Sequence, residues 1–91
     1  MKKLTKEYIE SLVVSTKYFY TDKVTICVLT PKNGFEITAY SGTIDPENFD
    51  KEIGEKIAYN NAINILWGHE GYLATENNYM ESISKAETRK Q

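Results

Sequence analysis

"DPENFDKEIGEKIAYNNAINILW", residues 45–67, is the stretch that decides the fold. Asp45 is a good N-cap, Pro46 suits the first position of a helix, and Glu47 favours the positive end of the helix dipole. The sequence therefore predicts a helix across this whole stretch. A single turn followed by a second cap at Asp50 is the alternative start.

The apolar residues of this helix do not keep to one side. At about 100° per residue, isoleucines, alanines and aromatic residues fall at almost every angle, and Asn60, Asn61 and Asn64 lie among them. A helix that is apolar all round is buried all round. Because one thin hairpin cannot cover such a helix, the sequence predicts a homo-oligomer built through residues 49–67.

Residues 23–44 predict an antiparallel β-hairpin. Two β-branched runs flank Asn33-Gly34, the dipeptide preferred in two-residue type I′ turns because both positions need positive φ. With the turn there, Val28 faces Ala39. The side chains predicted to face the core are then those of Val24, Ile26, Val28, Ile37 and Ala39.

The two ends of the chain predict further helices. Residues 5–15 carry one apolar stripe behind Thr5, which predicts a short capped helix followed by an aromatic connector. Gly68 and Gly71 predict a break or kink in the long helix. A shorter C-terminal helix is expected from about Leu73.

These elements predict one α+β domain over residues 1–91. It comprises a short N-terminal helix, an antiparallel β-hairpin packed on a long helix, and a shorter C-terminal helix, assembled as a homo-oligomer. A chain of this size has a thin core, and oligomerisation is a common remedy. Residues 86–91 are charged and predicted to fray.

Composition excludes several classes of protein. A net charge of −2 argues against binding long nucleic acid through phosphate neutralisation. The chain has no apolar run of membrane-spanning length, and its single cysteine, Cys27, has no partner for an internal disulfide. We therefore expect a cytoplasmic protein.

No catalytic motif is present. The sequence has no glycine-rich phosphate loop, no Cys/His metal pattern and no nucleophile elbow. We expect no enzyme activity, no cofactor and no metal. The lone histidine, His69, is assigned a surface or helix-end role, and the acidic residues of 45–55 are assigned to helix capping and a solvated face.

Four residues of the long helix are candidates for holding a nucleobase. Tyr59 and Trp67 offer rings on which a base can stack, and Asn60 and Asn61 offer amides that can read its donor and acceptor edge. The alternatives are core packing for the rings and amide pairing across a helix–helix interface.

Lys85 and Arg89 are candidates for holding phosphate, because they lie one helical turn apart. The alternative is a solvated tail. Lys17, Lys23 and Lys56 are the next candidates if the phosphate site lies elsewhere.

Residues 33–73 resemble a family of short tailed-phage proteins. The shared motifs are NGFE on the hairpin, D/S-P-x-N-Y/F-x-x-E-I-G at the helix start, a later I-A or I-C, and a closing L-W-x-x-E-G-Y. The chain departs from the pattern at Gly42-Thr43, where the family has Ala-Cys, and at His69, where the family has an apolar residue.

This family is similar to the anti-Thoeris and anti-CBASS phage proteins called sponges. The resemblance implies an oligomer in the host bacterial cytoplasm that binds a cyclic oligonucleotide or cyclic ADP-ribose isomer between its copies, without cleaving it. It implies neither a membrane nor a long nucleic acid as partner. The competing interpretation is a small phage protein that binds and inhibits a host protein.

Overall fold

The computed structural model describes the backbone of residues 4–90 and the side chains of residues 4–85. A short helix is followed by a three-stranded antiparallel sheet, a single 3₁₀ turn and a long helix. The elements are α1 (Lys6–Ser11), β1 (Val13–Tyr20), β2 (Val24–Pro31), β3 (Ile37–Gly42), the turn Pro46–Asn48 and α2 (Lys51–Lys90).

The sheet has the strand order β1-β2-β3, so the central strand is β2. Alternate side chains of β2 are buried, and those of Thr25, Cys27 and Leu29 have no solvent exposure. This period of two is expected of a sheet with one covered face. The covered face lies against α2, and the opposite face is open.

The core lies between this sheet face and α2. It consists of Ile9, Cys27, Leu29, Ile37, Ala39, Ala58, Ala62, Ile63 and Leu66. We call the last four the inner face of α2. Their small members let the helix approach the sheet closely, and Gly54 approaches closest: a Cβ there would lie 2.6 Å from the Thr25 Oγ1 atom.

The N-terminal segment differs from the prediction of a helix over residues 5–15. The Thr5 cap is confirmed, since its hydroxyl accepts from the Tyr8 amide at 3.2 Å, but the helix ends at Ser11. The expected aromatic connector is wrong, because β1 occupies Val13–Tyr20. Its β-branched and aromatic residues favour a strand, and pairing with β2 satisfies its backbone.

The predicted hairpin exists, but its predicted register is wrong by one residue. Ala39 pairs with Cys27, and not with Val28. A shift of one residue exchanges the two faces to which the β2 side chains point. The expected core residues Val24, Ile26 and Val28 therefore lie on the open face of the sheet.

The cause of this shift lies in the turn. Gly34 has positive φ (85°), whereas no residue other than glycine does among residues 4–90, so Asn33-Gly34 is not a type I′ pair. Instead, the Asn33 Oδ1 atom accepts from the Phe35 amide at 3.0 Å, and the loop extends over five residues, 32–36.

The long helix starts and continues differently from the first expectation. Asp45 caps the 3₁₀ turn, and Asp50 then caps α2 by accepting from the Ile53 amide at 3.2 Å, so the alternative start is the correct one. The predicted break is wrong: α2 is continuous through Gly68 and Gly71. A glycine inside a helix costs about 1 kcal/mol relative to alanine, which good helix formers around it offset.

The side of α2 beside the free edge of β3, away from the middle of the inner face, carries large apolar residues. We call it the outer stripe, and its apolar members are Ile53, Ile57, Ile65, Tyr72, Tyr79 and Ile83. The first five are 41% to 72% exposed. The helix runs far past the sheet, and the chain measures 68 × 23 × 19 Å. The homo-oligomer stays a prediction, and this stripe is the surface that such an assembly would cover.

Candidate functional site

A groove runs between the outer side of α2 and the free edge of β3. The Asn61 Nδ2 atom donates to the Tyr40 backbone carbonyl at 3.1 Å. In an antiparallel ladder backbone groups point alternately toward and away from the neighbouring strand, so this carbonyl points away from β2. Asn61 therefore holds the helix beside an edge that would otherwise be unpaired.

The groove has two connected parts that share Ser41 and Gly42. The part near the start of α2 has a volume of about 130 Å³, and its apolar wall is formed by Phe49, Ile53 and Ile57. The part along β3 is wider, about 430 Å³, and is lined by Asn61 and Ile65 on the helix side. Both parts are open to solvent on one side.

Local hydrogen bonds fix the narrow part of the groove. The Ser41 hydroxyl donates to the Gly54 carbonyl at 2.9 Å, which ties β3 to the first turn of α2. The Asp50 carboxylate is used as the helix cap. Lys23 supplies the cation among the described residues that line this part, and Asn48 supplies a second amide.

The predicted base-binding residues do not meet in one chain. Asn61 lies in the groove, whereas Tyr59 lies about 160° away around the helix axis. The Tyr59 hydroxyl donates to the Glu10 carboxylate at 2.6 Å. Burial, followed by this hydrogen bond, raises the pKa of Tyr59 to about 12. Trp67 is half-buried against the core, and Asn60 is exposed.

The predicted phosphate-binding residues lie far from this groove. Lys85 is exposed and lies 3.6 Å from Glu81 of its own helix. It is about 36 Å along α2 from Asn61, so no small ligand touches both in one chain. The predicted phosphate contact of Arg89 lies outside the described side chains, which end at residue 85. The predicted fraying of residues 86–91 falls on the same undescribed side chains.

The three alternative lysines lie in different surroundings. Lys23 lines the β3–α2 groove, and Lys17 is exposed on β1. Lys56 lines a second groove, between β1 and α2, together with Glu52 and Glu55. Two carboxylates beside Lys56 disfavour phosphate there, so Lys23 is the better placed cation.

The Tyr20 hydroxyl joins β1 to α2 at Glu55, which also lines the second groove. The Tyr20 hydroxyl donates to the Glu55 carboxylate, and this hydrogen bond is the main cause that raises the pKa of Tyr20 to about 12. The Lys51 ammonium lies 4.6 Å from the centre of the Tyr20 ring, a cation–π contact. These contacts hold the strand edge, and they occupy the polar groups that an anionic ligand would need.

Sequence reasoning missed Phe49, Ile53 and Ile57 as groove residues. Their signal was present: Ile53 and Ile57 lie opposite the alanines of the inner face, and large apolar residues opposite a small-residue face are exposed in a single chain. His69 packs edge-on against Phe35, with ring centres 5.9 Å apart, outside the groove.

Among residues 4–85, no group of three or more His, Cys, Asp or Glu side chains is arranged to hold a metal ion. Within the described part of α1 and α2, no segment is long and apolar enough to cross a membrane.

The fold and groove define a small α+β protein in which a three-stranded antiparallel sheet packs on one long helix. The chain belongs to the Phage protein (N4 Gp49/phage Sf6 gene 66) family, whose model matches residues 4–78. The expectation of a short phage protein family is thereby confirmed. Comparisons with curated proteins and with solved structures give no match.

Proposed function

We propose that this phage protein binds and sequesters, without cleaving it, a cyclic nucleotide or cyclic ADP-ribose signal of bacterial anti-phage defence. The observation that carries the proposal is the half-open β3–α2 groove. It combines an apolar wall at Phe49 and Ile53 with the amide of Asn61 and the ammonium of Lys23. Family membership supplies the phage setting.

The groove suits the parts of a nucleotide. An aromatic ring and aliphatic side chains accept the face of a base, and an Asn amide can pair with the edge of adenine. Asn61 donates one N–H to the Tyr40 carbonyl, which leaves its carbonyl oxygen and second N–H for a ligand. Lys23 lies at one end of the groove for a phosphate. Tyr59, Asn60, Trp67, Lys85 and Arg89 stay predicted contacts that require a second copy.

The groove favours holding over cleaving. The one histidine of the chain lies outside it, and the one cysteine is buried beneath α2. The Asp50 carboxylate is already bound by a backbone amide. The competing proposal, binding and inhibition of a host protein, draws on the same exposed apolar residues, because such patches mark interaction surfaces.

A melting panel tests the proposal. Cyclic dinucleotides, cyclic trinucleotides and cyclic ADP-ribose isomers are added to the protein, and one of them is expected to raise the melting temperature. Binding to the native state alone adds about 2.7 kcal/mol at a ligand concentration a hundred times Kd. Mass spectrometry after denaturation should then return the ligand intact.

Matched variants locate the site. Asn61→Ala and Lys23→Glu should weaken binding, whereas Asn60→Ala, one position along the helix, should weaken it less if the base lies in the groove. The double variant Lys85→Glu with Arg89→Glu tests the predicted phosphate contacts. If no member of the panel shifts the melt, the sequestration proposal fails and binding to a host protein replaces it.

A further inference from the structure

We propose that the free edge of β1 is a docking site for an extended segment of another protein, which adds a fourth strand to the sheet and places a basic side chain in the second groove. This edge is on the other flank of the sheet from the β3–α2 groove. The proposal is therefore independent of the proposed function.

The backbone of β1 has unpaired groups along its outer side. In an antiparallel pair, successive residues point their N–H and C=O groups alternately toward and away from the neighbouring strand. The Thr21 amide donates to the Val24 carbonyl at 2.8 Å. The backbone groups of Tyr20, Tyr18 and Thr16 therefore point away from β2. Such a row of outward groups is the template on which an extended peptide adds a strand.

The two edges of the sheet differ in how they are covered. At the β3 edge, Asn61 donates to the outward carbonyl of Tyr40. Among the described residues, no side chain bonds the outward backbone groups of β1. Lysine on an edge strand often discourages pairing, but the Lys17 side chain shares the open face with Val28 and leaves the backbone edge of β1 uncovered.

One side of an added strand lies over the second groove. This groove has a volume of about 270 Å³, and its lining residues are Tyr18, Glu52, Glu55, Lys56 and Tyr59. A residue paired with Tyr18 points its side chain to the same face of the sheet as Tyr18 does. The side chain of that residue therefore enters the groove.

Charge in the second groove favours a cation. Two carboxylates and one ammonium line it, so its excess charge is negative. Glu52 is exposed, and the Tyr20 hydroxyl binds only the Oε2 atom of Glu55, which leaves its Oε1 atom as an acceptor. A guanidinium presents several donors in one plane and can bind both carboxylates. The residue paired with Tyr18 is therefore expected to be arginine.

The open face of the sheet sets the neighbouring residues of the partner. Phe19 points to this face and is 54% exposed, which favours an apolar residue opposite it. Lys17 points to the same face and favours an acidic residue opposite it. On an antiparallel added strand, the residues opposite Phe19, Tyr18 and Lys17 follow one another. The predicted partner sequence is therefore apolar, basic, acidic.

A second copy of this chain is a poorer occupant of the edge. A two-fold pairing of β1 strands centred on Tyr18 would place Tyr18 opposite itself, where the groove favours a cation. It would also bring the Glu52 and Glu55 carboxylates of both copies to one face of the joined sheet, and like charges there are unfavourable.

A peptide titration followed by nuclear magnetic resonance of the backbone amides tests the proposal. The probe is acetyl-Ser-Thr-Ile-Arg-Glu-Thr-Ser-amide, whose central three residues have the predicted order. It should shift the amide signals of Thr16, Tyr18 and Tyr20 and slow their hydrogen exchange. The amides of Lys17 and Phe19, which point toward β2, should change less.

Matched controls separate the contributions of backbone and charge. Exchanging arginine and glutamate within the probe keeps its composition but places a carboxylate in the groove, and it should weaken binding about fivefold. A methyl group on the arginine amide nitrogen removes the donor to the Tyr18 carbonyl and should also weaken binding. Glu52→Lys should weaken binding about fivefold, whereas Glu76→Lys, the same charge change about 36 Å along α2, should leave it unchanged.

Three outcomes overturn the proposal. Unchanged amides of Thr16, Tyr18 and Tyr20 at millimolar probe would show that the edge accepts no strand. Equal binding of the probe and its exchanged form would remove the role of the carboxylates. Slow exchange of the three outward amides before any peptide is added would show that a second copy already covers the edge. The melting panel with nucleotides bears on the proposed function alone, so the two proposals fail separately.

Discussion

The inner face and the outer stripe of α2 have similar hydropathy but differ in the size of their side chains. The inner face includes Ala58 and Ala62, and Gly54 lies one turn before them, so the helix lies close on the sheet. The outer stripe carries isoleucine and tyrosine, which project into solvent in one chain. The small residues therefore mark where α2 lies closest to the sheet, whereas isoleucine occurs on both faces.

Ile63 and Ile65 provide the sharpest test of this comparison. Ile63 is 2% exposed on the inner face, and Ile65 is 41% exposed on the outer stripe. Ile63→Ala should lower the free energy of unfolding by about 2–5 kcal/mol, because it leaves a core cavity.

Ile65→Ala should cost less than about 1 kcal/mol in the folded chain, because surface substitutions away from the core have small effects. It should mainly weaken association, so its unfolding midpoint should depend less on protein concentration than that of the wild type. Urea unfolding at two concentrations measures both effects. Equal losses of unfolding free energy in the two variants would contradict the distinction between the inner face and the outer stripe.

Two glycines of α2 give the next largest effect. Gly54→Ala places a Cβ 2.6 Å from the Thr25 hydroxyl oxygen, so the helix or the strand must shift. Overpacking of this kind costs about 1–3 kcal/mol. Gly71→Ala meets no neighbour within 4 Å and should stabilise the helix by up to about 1 kcal/mol. Urea midpoints that move in the same direction would contradict this assignment.

The smallest effect concerns Tyr59, at the margin of the inner face. Its pKa of about 12 in the folded state exceeds the ordinary value of about 10, so the folded chain holds this proton more tightly. The resulting stabilisation is complete below about pH 10 and is lost as the pH rises toward about 12.

Phenolate absorbance during an alkaline titration measures this effect. Tyr59→Phe should remove one late step, and Glu10→Gln should move that step to lower pH because it removes the carboxylate that accepts the hydrogen bond. Tyr20 also has a pKa of about 12, so part of the late absorbance change should remain in Tyr59→Phe. A late change of unchanged amplitude would contradict the assignment to Tyr59.

Local features of the fold were predictable, because neighbouring residues determine them. The Thr5 cap, the alternative cap at Asp50 and the positive φ of Gly34 follow from residue type and position. The hairpin register was not predictable from the turn dipeptide, because the Asn33 side chain bonds the loop backbone and lengthens the turn.

Features that depend on distant contacts were harder to predict. β1 was missed because Val13 also continues the apolar stripe of α1, and only pairing with β2 decides between helix and strand. Of the candidate site, Asn61 and the alternative cation Lys23 lie in the groove. Tyr59 does not lie in the groove. The sequence gives the angle of a residue around the helix axis, but it does not show which other element of the fold packs against that side of the helix.

Cys27 gives this protein a native chemical probe. Its thiol lies at the centre of the sheet face beneath α2, with no solvent exposure, and burial raises its pKa. Since the thiolate is the form that alkylating reagents attack, reaction must wait until α2 lifts from the sheet. The rate at which Cys27 is alkylated in the unmodified chain therefore reports how often α2 separates from the sheet. A ligand that stabilises the packing of α2 on the sheet will slow this reaction.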